Sequence, residues 1–205
     1  MNLKTPLPLA ALALAAFVSQ SALAQEAPDA LVKRVSAETV QAIKADPKLQ
    51  AGDPARVREV IEQKLLPNFD FPRMTALAMG RNWRQASPEQ QQQLTNEFRT
   101  LLVRTYSNAL TQYRDETIDV KPLKLDGNAS ETTVRSEVVR PGRPPVQIDY
   151  SMAKTPQGWK AYDVVVGGVS LVTNYRDDFN EQIKSSGIDG LIKTLAAKNA
   201  GSGTK

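Results

Sequence analysis

Val146-Gln147-Ile148-Asp149-Tyr150-Ser151-Met152 alternates apolar and polar residues without a break. Successive side chains of a strand point to opposite faces, so this stretch has one apolar face and one wet face. Thr155-Pro156-Gln157-Gly158 follows, with proline at the second place of a four-residue turn. Residues 159–166 then read as a returning strand. Upstream, residues 132–140 set Thr133, Arg135 and Glu137 against Val134, Ser136 and Val138. Residues 118–125 form a further strand candidate, closed by the turn signal Asp126-Gly127-Asn128. Arg140-Pro141-Gly142-Arg143-Pro144-Pro145 reads as a loop, and Gly167-Gly168 as the end of the sheet, where a strand-to-helix junction needs close approach. Short connections between consecutive strands predict an antiparallel meander of about four strands.

Helical patterns flank this block. Asp29 is placed to cap a helix running to about Ala45, and Asp53-Pro54 starts a second that Pro67 ends. Asp70 or Phe71 opens a short helix that Gly80 closes. Ser87-Pro88-Glu89-Gln90 carries a capping serine, proline at the first helical position and glutamine for a capping box. The helix it starts is expected to reach about Arg114. Leu94, Phe98, Leu101, Leu102, Tyr106, Ala109, Leu110 and Tyr113 make its apolar arc, which is too wide for a one-sided surface helix. After the sheet, Leu171, Tyr175, Phe179 and Ile183 recur every four residues, and Gly187 separates this helix from a last one striped by Ile188, Leu191, Ile192 and Leu195. The fold class is therefore α+β, a curved antiparallel sheet with a helical layer.

Residues 1–24 stand apart. Lys4 is their only charge, residues 7–18 are an apolar run, and Ala22-Leu23-Ala24 is a small-x-small cleavage pattern. This is the layout of a secretory signal peptide, with removal expected near Ala24 and export to a periplasm. Its loss takes the formal net charge from +4 to +3. Residues 25–200 then form a single domain, and residues 201–205 a polar tail.

The 205-residue chain contains no His and no Cys. That excludes a Ser-His-Asp triad, a Cys-His pair, an HExxH zinc site, disulfides, cysteine-ligated zinc and Fe–S clusters. With no Cys to acylate, a lipoprotein is excluded as well. The carboxylates Asp115-Glu116, Asp177-Asp178, Asp149 and Asp163 lack a supporting motif, and Ser151 and Ser170 lack a base at recognisable spacing. Gly167-Gly168 is not part of a phosphate loop. The mild positive charge suits anionic lipid surfaces, but no run of five basic residues occurs, so nucleic acid is not an expected partner. These residues favour a binder over an enzyme and name no ligand. A protein-interaction module whose interior is filled by side chains remains a second reading of them.

Several segments, taken in order, resemble the MlaC family of periplasmic phospholipid-shuttle proteins, also called toluene-tolerance auxiliary components. They are Leu65-Leu66-Pro67; Gly80 through Trp83 to Ala86-Ser87-Pro88 with Gln90; Phe98-Arg99 with Leu102 and Tyr106; Gly142-Arg143-Pro144-Pro145-Val146; Trp159-Lys160-Ala161-Tyr162-Asp163; Gly168-Val169-Ser170-Leu171; and Gly187-Ile188-Asp189-Gly190-Leu191. Gly167 departs from the family, where an acidic residue is common, and Asn174-Tyr175-Arg176 is one of several variants.

The resemblance implies an NTF2- or cystatin-like curved sheet packed with a helical subdomain around an apolar cavity. Phospholipid acyl chains would fill the cavity as cargo, with the headgroup in solvent and no cofactor. It also implies exchange of lipid with an outer-membrane lipoprotein–porin complex and with an inner-membrane ABC transporter and its substrate-binding hexamer. That traffic maintains outer-membrane asymmetry and involves no catalysis. The expected cavity wall draws Met74 and Leu77 from the short helix and Leu102, Tyr106 and Leu110 from the long one. Val146, Ile148 and Tyr150 come from the third strand, and Val166, Val169 and Val172 from the strand-to-helix junction. Tyr106, Val146 and Val169 lie inside matched motifs. Trp159, Tyr162 and Asp163 read as structural ties, and Arg81, Arg84, Arg143 and Lys160 as headgroup or surface cations.

Overall fold

A computed structural model describes residues 25–111 and 116–201, without the side chains of residues 108–111. The expected leader, Leu110, Tyr113 and Asp115 lie outside the described residues or side chains. Helix α1 spans Pro28–Ala45, α2 Pro47–Gln50, α3 Pro54–Val60, α4 Phe71–Met79 and α5 Pro88–Thr111. The strands are β1 Thr117–Val120, β2 Glu131–Arg140, β3 Arg143–Thr155, β4 Gly158–Val166 and β5 Val169–Ser170, and α6 spans Leu171–Gly201.

The helix starts follow from local chemistry. Asp53 Oδ1 accepts from the amides of Ala55 and Arg56, and Asp70 Oδ1 from that of Arg73. Ser87 Oγ accepts from Gln90 N while Gln90 Oε1 accepts from Ser87 N, so the capping box is closed. At α1 Ala27 precedes the first turn with no side-chain cap; Pro28 takes the first position and Asp29 lies in the first turn, where it meets the positive helix end. Between α3 and α4 the chain runs through a π turn, Ile61–Leu65, and a 3-10 turn, Leu66–Asn68. Pro67 lacks the amide that would continue the α-helix.

The sheet has five strands in the order β1-β2-β3-β4-β5, all antiparallel, against the expected four or so. Gly167 and Gly168 explain the difference. Their φ values of 57° and 85° form a two-residue hairpin turn, which pairs Val166 with Val169. A Cβ at either glycine would meet nothing within 4 Å, so backbone conformation and not close approach selects them. Gly168→Val is expected to cost about 1–2 kcal/mol, because a β-branched residue resists positive φ. A lower urea midpoint checks this; an unchanged midpoint refutes it.

Two other boundaries move. β1 stops at Val120 and not Leu125: Lys121 N still donates to Arg135 O, and Pro122 then has no amide to give. β3 begins at Arg143, so the expected loop shrinks to a tight turn. Pro144 and Pro145 are tolerated because β4 pairs only from Ile148 onward and the β2 register shifts between Val138 and Arg140. α6 is continuous except at Gly187, whose φ of 71° and ψ of −178° separate the two expected helical parts.

Helix α1 packs on β1 and β2, whereas α4 and α6 pack on β4 and α5 packs on α3, α4 and α6. Two principal cores result. Leu31, Val32, Val134, Met152, Trp159 and Ala161 fill the space between α1 and the sheet. Phe71, Met74, Leu94, Phe98, Phe179 and Leu191 lie in the helical core, where Phe98 meets Tyr175 and Phe179 edge to face at 5.1 and 5.2 Å. A smaller cluster of Leu49, Val57, Val60 and Ile61 sits under the end of α1.

Candidate functional site

The register collects the apolar face. Residues directly opposite in an antiparallel pair share a face. One cross-strand row is Val120, Ser136, Ile148, Val166 and Val169, and the next is Ile118, Val138 and Val146. A further row joins Val134, Tyr150 and Val164. The α1 core covers the end of this face at Val134, Met152 and Ala161. The other end is not buried. Ile118, Val138, Val146 and Ile148 are half-buried, and Val166 and Val169 are 37% and 57% exposed. An apolar surface of this kind, continuous across strands and open at one end, suits an apolar ligand.

Its polar members include Ser136 and Tyr150. Ser136 is buried and donates to the Ile148 carbonyl at 3.1 Å. Burial pushes the Tyr150 phenol pKa up, and the neighbouring Ser136 hydroxyl partly offsets the rise. The opposite face carries Thr133, Arg135, Glu137, Gln147, Asp149 and Ser151, and Lys121 bridges Asp119 and Glu137 at 2.7 and 2.9 Å. That face is solvated, as the alternation requires.

The predicted wall residues fall into distinct places. Val146, Ile148, Tyr150, Val166 and Val169 share the sheet face. Met74, Leu102 and Val172 are buried in the helical core, with Leu77 half-buried against it. Tyr106 is 37% exposed and reaches Tyr175 of α6; burial first, and Tyr175 second, raise its phenol pKa. The sequence reading did not place Ile118, Val138, Val164 and Tyr175 in the candidate wall; register puts the first three on this sheet face, Val164 at its buried end, and Tyr175 lies beside Tyr106. The first three could be found only through register, which their own short patterns do not fix.

The structural ties are resolved in detail. Asp163 Oδ1 accepts from Val164 N and Val172 N, and its Oδ2 from Ser170 Oγ at 2.6 Å. This binds β4 to the start of α6, and Ser170 in turn accepts from Thr173 N. Asp163 and Ser170 are thus brought together as a cap at the start of α6. Lys160, read as a surface cation, donates to the Pro67 carbonyl at 2.5 Å. A register shift at Ser151/Met152 leaves Tyr162 outside the β3–β4 ladder. Arg73 of α4 lies 3.7 Å over its ring and pairs with Glu131 at 2.7 Å, and the Tyr162 hydroxyl donates to Glu131 at 3.0 Å. The helical layer is thereby clamped to the sheet at the end away from Val169.

Arg73, followed by Tyr162, holds the Glu131 carboxyl below its ordinary value. Its folded pKa lies below the unfolded one, so the clamp contributes fully above the ordinary carboxylate range and is lost as pH falls through the folded value. Glu131 is solvated, which limits the contribution to under about 1 kcal/mol. Glu131→Gln is expected to flatten the acid side of the stability profile slightly. Denaturation at pH 7 and pH 3 checks it, and identical slopes in both chains refute it.

Two adjoining grooves of about 370 and 700 Å³ lie elsewhere, on the back of α5. None of the residues expected in the wall lines them.

The architecture is that of an α+β protein with a single unclosed antiparallel sheet, half covered by one helix and flanked by a helical layer. The chain belongs to the MlaC family: the family model described as MlaC protein matches residues 33–197. It is 25% identical over 181 residues to an intermembrane phospholipid transport system binding protein MlaC of Haemophilus influenzae, covering 87% of this chain and 85% of that one. It is 27% identical over 174 residues to the toluene tolerance protein ttg2D of Pseudomonas putida, covering 84% and 80%. A solved phospholipid-binding protein from Ralstonia solanacearum, in complex with a phospholipid, superposes with a TM-score of 0.78 at 40% identity. That match covers 84% of this chain and 96% of the other.

Proposed function

We propose that this protein is a periplasmic phospholipid carrier that moves lipid between the two membranes of the envelope. The observation that carries the reading is the 40% identity to a protein solved with a phospholipid, over 96% of that protein's length. The apolar rows around Ile148 and Val166 support it, because Ile148 is only half-buried and Val166 and Val169 are exposed, which offers acyl chains an apolar surface.

The physical need is plain. Two acyl chains hold roughly 30 methylene groups, each worth about 0.8 kcal/mol on leaving water. A gross penalty near 25 kcal/mol forbids free passage through an aqueous space. A carrier must replace the contacts of a bilayer without greatly exceeding them, or it would not release its cargo. A largely apolar sheet face, whose polar groups are the hydroxyls of Ser136 and Tyr150, meets that demand. No step in this requires a catalytic base or a cofactor.

Export supports the compartment, through the leader pattern of residues 1–24 and removal near Ala24. Among the described residues no helix is long and apolar enough to cross a membrane. The partners in this reading are an outer-membrane lipoprotein–porin complex and an inner-membrane ABC transporter with its substrate-binding hexamer, between which asymmetry of the outer membrane is maintained.

The test is organic extraction and lipid mass spectrometry on the mature chain, purified from a periplasm without detergent. Stoichiometric diacyl phospholipid is expected. A lipid-free extract from folded protein would overturn the reading and favour a protein-interaction module.

A further inference from the structure

The groove on the back of α5 is unused by the cargo reading. Arg58 of α3 lines one bank and Lys198 of α6 the other, with Val103 and Arg104 of α5 between them. Arg99 extends it, and Glu62 is the one carboxylate among its lining residues. Among the described residues three arginines, Arg58, Arg99 and Arg104, therefore line it beside a single carboxylate.

Three of these cations are uncompensated among the described residues. Arg34, Arg56, Arg73 and Arg140 each lie against a carboxylate. Neither Arg58 nor Arg104 has one within ion-pair distance among the described residues. Glu59, the neighbour of Arg58 in sequence, is taken by Arg56. Among the described residues Arg99 meets no carboxylate either, and it lies 5.9 Å over the Phe71 ring. Unpaired positive charge in a concavity concentrates the local field and attracts an acidic partner.

Shape selects among acidic partners. A flat bilayer touches the rims of a groove and not its floor. An acyl chain would stay wet, because the walls are open and lined with guanidinium groups. A polypeptide segment satisfies both features, with carboxylates taken by the planar guanidinium forks and an apolar side chain seated on Val103. We propose that this groove docks an acidic, apolar-anchored segment of a protein partner. The site is separate from the cargo surface: Phe98 and Leu102 turn into the helical core, while the groove residues Val103 and Arg104 occupy another arc of α5.

The test uses the mature full chain and a fluorescein-labelled peptide of Glu-Glu-Leu repeats, with a Lys-Lys-Leu peptide as control. Fluorescence anisotropy should show salt-sensitive binding of the acidic peptide alone. Arg58→Glu combined with Arg104→Glu should weaken it at least about tenfold, and the Gln pair less. Bound phospholipid should be unchanged in both variants. If the reversed pair misfolds by circular dichroism, the Gln pair carries the comparison. Absence of acidic-peptide binding, or equal binding by the variants, overturns the proposal. Variants that keep the peptide but lose sedimentation with phosphatidylglycerol vesicles also overturn it, and identify a membrane-facing surface. Loss of phospholipid from the variants would instead assign the groove to the cargo site.

Discussion

Ile148→Glu is expected to fold and to survive detergent-free purification with roughly a hundredfold weaker phospholipid binding than the unsubstituted chain. Ile148 sits mid-row, with Ser136 on one side and Val166 on the other. In the free protein it is half-buried, so a carboxylate there keeps part of its hydration. An acyl chain arriving on the row removes that water and offers no hydrogen bond in return. The cost is about 3 kcal/mol or more, and each 1.4 kcal/mol is a factor of ten in affinity. Val169→Glu, at the more exposed rim, should show the same loss to a smaller degree, about tenfold. Lipid mass spectrometry measures both, and thermal melts of the delipidated chains report folding. Normal phospholipid occupancy in a folded Ile148→Glu chain would remove this row from the cargo surface.

Phe98→Ala should produce the largest loss of stability. Phe98 is fully buried and packs edge to face with both Tyr175 and Phe179. Truncation removes the transfer energy of the ring and leaves a cavity between α5 and α6, about 3–5 kcal/mol together. For a chain of this size that lowers Tm by roughly 10–15 °C. The loss should reach the open sheet face indirectly, because α6 carries Tyr175 and starts directly after β5. A calorimetric shift of only a degree or two would mean that the helical core repacks around the gap.

Much of the architecture was legible in short stretches of sequence. The alternation of residues 146–152 specified a half-buried strand, and Pro156-Gln157 with Gly158 specified its return. Asp53, Asp70 and Ser87 marked helix starts because each side chain caps amides two or three residues away. Boundaries failed where a local signal has two meanings. Gly167-Gly168 reads as a terminator, yet two adjacent positive-φ glycines also build a hairpin, and only the pairing of Val166 with Val169 distinguishes them. Pro144 and Pro145 read as loop, yet prolines stand in a strand wherever the neighbouring ladder has lapsed.

The candidate site was legible to a lesser degree. Periodicity separated apolar from polar positions but not the partly open sheet face from the buried helical core. Met74, Leu102 and Val172 carry the same hydrophobic signal as Val146 and Ile148, and are buried among the helices. Nothing local to Arg58, Arg104 or Lys198 indicated that three helices would bring them to one groove.

The sequence by itself determined the α+β class, the order of the elements, their caps and turns, and the absence of histidine and cysteine chemistry. Each of these is set by residues within a few positions of one another, or by composition alone. Tertiary structure decided which part of the apolar sheet face stays open and which cations stand unpaired. Those depend on cross-strand register and on where α1 and α5 dock, which are interactions between segments far apart in the chain.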